Sequence, residues 1–271
     1  MYEAYWNLTR KPFGYRVNAE DLYRSRALQS AALRLRYCFE NNAGAAMVVG
    51  PSGVGKSILM QMLKSEGSHL SPFIHLAWPR LTSAELSRLI ASALLEVESV
   101  DGLSADALLV RQRTALKQAT EEGLHPIIVL DEAHLMTNDS LNDVVLPLLN
   151  MVETDHSVRL TIVLVGQPAL AAHVARNAQL RERISVTATM SGLSLNETAD
   201  YIATQLKREN SSSPIFSDDA VRSVWEMSSG NPRLINRLCD MALLVGFSDQ
   251  ASCISDSDIA ALASEILPAA A

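Results

Sequence analysis

The chain has 271 residues, 48% of them hydrophobic and 20% charged, and a net charge of −7. That length holds one large α/β domain, or a domain and a small appendage, and the apolar share excludes a disordered chain. The acidic total excludes a molecule coated in basic patches, yet the charge is uneven. Within residues 1–40, Arg10, Lys11, Arg16, Arg24, Arg26, Arg34 and Arg36 outnumber Glu3, Glu20, Asp21 and Glu40. A basic N-terminal face can meet nucleic acid or an anionic surface, although an ordinary solvated face is the commoner outcome.

Cys38, Cys239 and Cys253 form no CxxC pair and no metal-ligand spacing with histidine, and read as buried packing thiols of a reducing cytoplasm. The start, Met-Tyr-Glu-Ala-Tyr-Trp, lacks the charged segment and apolar run of a signal peptide. The longest apolar stretch, Leu160 to Ala175, is broken by Gly166-Gln167-Pro168, so no span of a bilayer is expected.

In chain order, short apolar runs alternate with longer amphipathic ones, the βαβ rhythm of a parallel sheet covered on both faces. Strands are predicted at Ala45–Val49, Phe73–Ala77, Ile127–Leu130, Leu160–Val165 and Ile184–Thr189. Helices are predicted near Ser57–Leu63, Ser83–Glu96, Ala105–Glu122, Ser140–Val152 and Pro168–Ala175, with a kink or early break at Pro147. After Met190 the strands stop, and residues 195–210, 217–229, 231–247 and 255–267 read as helices, with Asn196 and Ser217 as N-caps. The expected organisation is an α/β sheet domain over 1–190, including an N-terminal extension, and a small helical lid over 191–271.

The sharpest motif is Gly50-Pro51-Ser52-Gly53-Val54-Gly55-Lys56-Ser57, a full match to the phosphate-binding loop GxxxxGK[ST] that runs on through Ile58 into a predicted helix. Glycines let backbone N–H groups turn inward around phosphates, Lys56 reaches the β- and γ-phosphates, and Ser57 is placed to coordinate Mg²⁺. The second motif is Ile127-Ile-Val-Leu-Asp131-Glu132, a buried strand ending in two carboxylates and expected to lie beside the strand that feeds the loop. Asp131 suits the Mg²⁺ shell, and Glu132 suits polarising an attacking water, which points to ATP hydrolysis.

Asp131-Glu132-Ala133-His134 also spells a helicase box, but such enzymes need two sheet domains and the length allows one. His134 then reads as a helix-start or packing residue. Gln167, after its strand, is a candidate for the γ-phosphate or the lytic water. Arg181 and Arg183, just before the last strand, are candidate arginine fingers for a neighbour's ATP, and Arg233 at the start of a lid helix is a candidate γ-phosphate reporter. Trp6, Phe13, Tyr23 and Tyr37 either line an adenine pocket or pin the N-terminal segment to the sheet, with packing the favoured role for Trp6.

Together these residues resemble the general secretion pathway protein A (ExeA/GspA-like) branch of AAA+ ATPases over nearly the whole chain. The resemblance rests on Tyr2, Trp6-x-Leu8, Pro12-Phe13, Leu22-Tyr23 and Leu35-Arg-Tyr37, then on the loop and Asp131 to Leu135. It continues through Leu164-Val-Gly-Gln167-Pro, Leu180-Arg-Glu-Arg183-Ile and Ser229-Gly-Asn-Pro-Arg233-Leu-Ile-Asn236-Arg-Leu-Cys239-Asp. It implies an αβα sandwich with a five-stranded parallel sheet and a helical lid, ATP hydrolysis and nucleotide-dependent homo-oligomers with active sites at subunit interfaces. Relatives serving type II secretion continue into a membrane span and a peptidoglycan-binding domain, whereas this sequence stops at Ala271, so a standalone paralogue or a fragment is expected. The expected function is a cytoplasmic MgATP-hydrolysing factor that assembles or remodels a protein client. The alternative is an ATP-dependent DNA-binding regulator of transposition resembling TnsC, TniB and MuB, with which the basic N-terminal segment is compatible.

Overall fold

The computed structural model describes residues 1–14, 22–77, 80–209 and 214–266. Arg16, Glu20 and Asp21 of the basic N-terminal segment lie outside them. The chain forms two compact units, Leu28–Met190 and a second made from Met1–Ala27 with Ser191–Ala271.

In the first unit, β1 (Ala45–Val49), β2 (Phe73–Leu76), β3 (Ile127–Leu130), β4 (Thr161–Gly166) and β5 (Ile184–Thr189) make one sheet in the order β2-β3-β4-β1-β5. Every pairing is parallel. The three inner strands are buried at every position, as strands covered on both faces must be, while the edge strands β2 and β5 are partly open. α1 (Arg26–Glu40) precedes β1, and between the strands run α2 (Lys56–Glu66), α3 (Ser83–Leu95) and α4 (Ala105–Glu121). They are followed by the short α5 (Asn138–Ser140), α6 (Leu146–Thr154), α7 (Ala169–Arg176) and α8 (Ala178–Arg183).

The run-based reading assigned no element to α1, although Leu28, Ala31, Ala32, Leu35 and Phe39 bury one helical stripe there. The break anticipated at Pro147 takes a specific form. A π-turn, Leu141–Val145, leads into α6, and Pro147 occupies the first turn of α6, where no intrahelical N–H is required.

The expected order of strands differs in one respect that matters below. The two carboxylates do not end the strand beside β1, because β4 lies between β3 and β1. In register, Leu130 pairs with Leu164, and Val49 with Gly166. The segment after β4 is therefore inserted between the phosphate loop and the carboxylates.

In the second unit, α9 (Leu195–Arg208), α10 (Asp218–Ser228), α11 (Pro232–Ser248) and α12 (Asp256–Ile266) enclose an apolar core. Ser217 caps α10 as expected, its side chain accepting from the Ala220 N–H. The cap of α9 is Ser194 rather than Asn196, because Ser194 stands three residues before Glu197 and the two close a reciprocal capping box.

The sequence reading joined the N-terminal segment to the sheet, but the structure packs it with the helices. Tyr2, Trp6, Leu8 and Phe13 are buried against Tyr201, Ile202, Ile235 and Leu243. Trp6 Nε1 donates to the Leu243 carbonyl at 2.9 Å, and the Tyr2 hydroxyl donates to Asp240. Thr9 and Arg10 hold the buried Glu209 carboxylate at 2.6 and 2.7 Å. Four short helices alone offer a small core, and the N-terminal aromatics enlarge it. Among the described residues no helix is long and apolar enough to cross a membrane. Cys38 and Cys239 are buried, and burial raises both thiol pKa values, that of Cys38 to about 11, but Cys253 is exposed.

Candidate phosphate-binding site

The phosphate loop runs from the end of β1 into α2. Gly53 and Gly55 adopt φ of 85° and 98°, a left-handed backbone that any other residue would strain to hold. Gly50 is needed for a different reason: a Cβ there would lie 2.4 Å from the Met190 carbonyl oxygen. Pro51 and Ser52 are exposed on the loop, while Val54 is buried beneath it and Ile58 is half-buried. The turn leaves the first N–H groups of the eleven-residue α2 facing the loop, with the positive end of the helix behind them. Lys56 is 6% exposed, and its ammonium donates to the carbonyls of Gly50 and Pro51 at 2.7 and 2.8 Å, folded across its own loop.

Ser57 Oγ donates to Asp131 Oδ2 at 2.9 Å, so the hydroxyl of α2 and the carboxylate after β3 meet across a separation of 74 residues. Two oxygen donors already side by side fit a hard divalent cation such as Mg²⁺. Burial by itself would raise the Asp131 pKa. Hydrogen bonds from His75, Ser57 and the Glu132 N–H outweigh burial and hold the carboxyl below its ordinary range, ionised at neutral pH. His75, on β2, stands 3.2 Å from Asp131 Oδ2, and the sequence reading missed it.

Glu132 follows with φ of 53°, a conformation that costs a residue with a side chain about 1–3 kcal/mol. Oε2 of Glu132 is shielded from solvent, makes no hydrogen bond among the described residues, and lies 3.3 Å from Nδ1 of His134. His134 sits in a 3₁₀ turn, Ala133–Leu135, and its Nδ1 also accepts the backbone N–H of Gln167 at 3.5 Å.

Lys56, Ser57, Asp131, Glu132 and Gln167 thus gather at one edge of the sheet unit. Arg181 and Arg183 do not join them. They precede Ile184, which pairs with Ala45 at the opposite end of β1 from the loop, five residues or roughly 17 Å away. Arg183 is engaged by Asn150 at 2.7 Å, Glu153 at 3.1 Å and the Gln179 carbonyl at 3.0 Å. Arg181 is exposed, and its guanidinium has no partner among the described residues. Arg233 belongs to the helical unit, in the first turn of α11, where Asn231 caps its N–H at 3.1 Å.

The N-terminal aromatics are packing residues for the most part: Trp6, Phe13 and Tyr23 join the helical core, and Tyr37 is 61% exposed on α1. Of the basic N-terminal residues, Arg10 pairs with Glu209, Arg36 with Glu66, and Arg34 donates to the Thr187 carbonyl on the open edge of β5.

Comparison with known proteins agrees with this geometry. Residues 40–174 match the AAA domain family. Over 269 residues the chain is 28% identical to the "General secretion pathway protein A" of Aeromonas hydrophila, a match covering 98% of this chain and 48% of that protein. The chain therefore spans about half the length of that relative. Among solved structures, Cdc6p of Pyrobaculum aerophilum superposes with a TM-score of 0.72 at 16% identity, over 96% of this chain and 72% of that one. The RuvB Holliday junction branch migration motor of Thermotoga maritima gives 0.61 at 14% identity, over 94% and 73%. The Drosophila origin recognition complex (ORC) bound to DNA gives 0.69 at 17% identity, over 96% and 65%. At such identities these three share the fold alone. Phosphate loop, inserted fourth strand, tandem carboxylates and matched AAA domain together make the chain an AAA+ P-loop protein, similar along nearly its whole length to general secretion pathway protein A.

Proposed function

We propose that the protein binds MgATP at the β1–α2 loop and hydrolyses it, using turnover to assemble or remodel protein partners. The observation that carries the hydrolytic part is the Ser57–Asp131 contact with Glu132 next in sequence, on a left-handed backbone. Lys56 leaves the Gly50 and Pro51 carbonyls for the β- and γ-phosphates, while the loop N–H groups and the α2 N-terminus take the phosphate charge. Ser57 and Asp131 hold the Mg²⁺, which when bound neutralises charge on the phosphates. Glu132 accepts a proton from the attacking water, and Gln167 orients that water or the γ-phosphate.

Arg181 is our choice for the finger. It is exposed and unengaged, whereas Arg183 is committed to α6 and α8. Lying at the far end of β1 and β5 from its own loop, it serves a neighbouring copy, which makes the working form a homo-oligomer with shared sites. Arg233 reports the nucleotide to the helical unit. The reading of a protein client is supported by the secretion-pathway relative and by the acidic total charge.

Lys56→Ala is expected to abolish ATP binding. Glu132→Gln should bind ATP normally and turn over at least about a hundredfold more slowly. Arg181→Ala mixed with Lys56→Ala should recover part of the turnover that each lacks alone. Wild-type hydrolysis by Glu132→Gln would refute the site, and absence of recovery in the mixture would refute the shared one. Mass measurement of Glu132→Gln with MgATP, with and without duplex DNA at stated salt, separates the client classes. Assembly indifferent to DNA supports the protein client, and assembly only with DNA replaces it with the transposition-type role.

A further inference from the structure

The Glu132 carboxylate has an oxygen, Oε2, that is shielded from water and hydrogen-bonded to nothing among the described residues. Its charged or polar neighbour is Nδ1 of His134, at 3.3 Å. The same nitrogen accepts the Gln167 N–H at 3.5 Å. The imidazole is fixed from the other side by backbone: a Cβ on Gly166 would stand 3.2 Å from the His134 N–H nitrogen and 3.3 Å from Nδ1. The ring therefore packs closely against Gly166, where any side chain would crowd it by a few tenths of an ångström, and the His134 side chain is only 10% exposed.

From this we infer that His134 is a positioning residue that ties the placement of the general base to the placement of Gln167. One ring nitrogen cannot serve both neighbours in the same way. When it accepts from the Gln167 N–H its lone pair is used, and it has no hydrogen to offer Glu132. Movement of the Gln167 segment toward a bound γ-phosphate frees that nitrogen, and movement of Glu132 toward the lytic water relieves the uncompensated oxygen. The ring thus couples two groups on adjacent strand ends that contact the nucleotide from different directions. The inserted position of β4 makes the coupling possible, because it brings Gln167 next to the carboxylates.

This inference rests on the hydrolytic reading of the site, and the test separates the two. His134→Phe keeps a flat aromatic ring, somewhat larger than the imidazole, and loses both polar contacts. Its kcat for ATP should fall roughly tenfold to a hundredfold, the range expected for a misplaced reacting group, while ATP affinity stays within about threefold. His134→Asn puts an amide where Nδ1 was, and an amide offers an acceptor and a donor on separate atoms. It should restore kcat to within about threefold of the natural protein. In the Glu132→Gln background, His134→Phe should slow the residual turnover no further, because the group it acts through is gone. If His134→Phe does not fold, His134→Ala is read in its place.

Wild-type kcat in His134→Phe, or equal damage in His134→Asn, overturns the inference while an inactive Glu132→Gln leaves the hydrolytic reading intact. Normal turnover by Glu132→Gln overturns both.

Discussion

His125 stands at the end of the sheet opposite the phosphate loop, 4% exposed, with its Nε2 3.0 Å from Thr161 Oγ1. That hydroxyl gives its own hydrogen to the Ala43 carbonyl at 2.9 Å, so Nε2 carries the hydrogen of a neutral ring. Burial, and then the nearby Arg159 and His69, push the imidazole pKa from 6.5 down to about 4. As pH falls below 6.5 the unfolded chain takes up this proton and the native chain does not. The native state is penalised through that window until the ring charges near pH 4, and about 2–3 kcal/mol is lost by pH 4.5. His125→Asn should show a shallower fall in denaturation free energy between pH 7 and pH 4.5. An unchanged slope would place the acid sensitivity elsewhere.

Legibility at this scale followed sequence distance. Residues 50–58 were readable because a phosphate cradle needs neighbours in the chain, and Asp131-Glu132 because a strand end is a local signal. His75 was not, since its place beside Asp131 depends on a pairing across 56 residues. His134 was named in the sequence but read as packing, because its second contact, Gln167, is supplied by a strand crossing.

The link between α10 and α11 shows how little freedom an element boundary has. Ser229 and Gly230 both adopt left-handed backbone, with φ of 50° and 69°. The Gly230 carbonyl accepts the Leu193 N–H at 2.7 Å, and the Leu193 carbonyl accepts from Trp225 Nε1 at 3.1 Å. A Cβ on Gly230 would lie 2.0 Å from the Leu193 carbonyl oxygen, which is backbone and cannot swing aside. Gly230→Ala should lower the stability of the helical unit by well over the roughly 1 kcal/mol that left-handed alanine alone costs. Near-ultraviolet dichroism of Trp225 on heating reads the effect, and an unshifted transition would mean the link relaxes.

The inner strands were the easiest elements to foresee, because each is a near-continuous apolar run of the length a covered strand requires, while β2 and β5 carry polar residues at the open edges. Their spatial order was not foreseeable from β1 and β3 alone: all inner strands are equally apolar, and nothing local says that β4 separates them. Helix α9 was found but its cap misplaced by two residues, since two polar residues before the first turn compete and only Glu197 decides between them.

At the scale of the molecule, the helical unit is built from two stretches that the sequence separates. Trp6 is 7% exposed within a core that joins Tyr2, Leu8 and Phe13 to residues beyond 190. Trp6→Ala should cost about 3–5 kcal/mol. Its mark on amide hydrogen exchange should be local in structure and remote in sequence: faster exchange across α9–α12, with the amides of β1, β3 and β4 little changed. Equal loss of protection in both units would mean that they unfold as one. Apolar patterning said that the N-terminal aromatics were buried somewhere. It placed them on the sheet rather than on the helices, because an aromatic segment fits a sheet face and a helix layer equally well.

The discontinuity also has a consequence for synthesis. The hydrogen bond from Trp6 to Leu243 closes a loop of 237 residues, whereas every strand of the sheet unit is made in the interval between them. At about 5–20 residues per second, Trp6 leaves the ribosome on the order of ten seconds to a minute before its partner exists. Through that time the sheet unit can complete its core, and the N-terminal aromatics stay uncovered. Nascent chains stalled with β5 already clear of the ribosome should accordingly carry a folded sheet and a sticky N-terminal segment, the form of the protein in which a chaperone has most to hold.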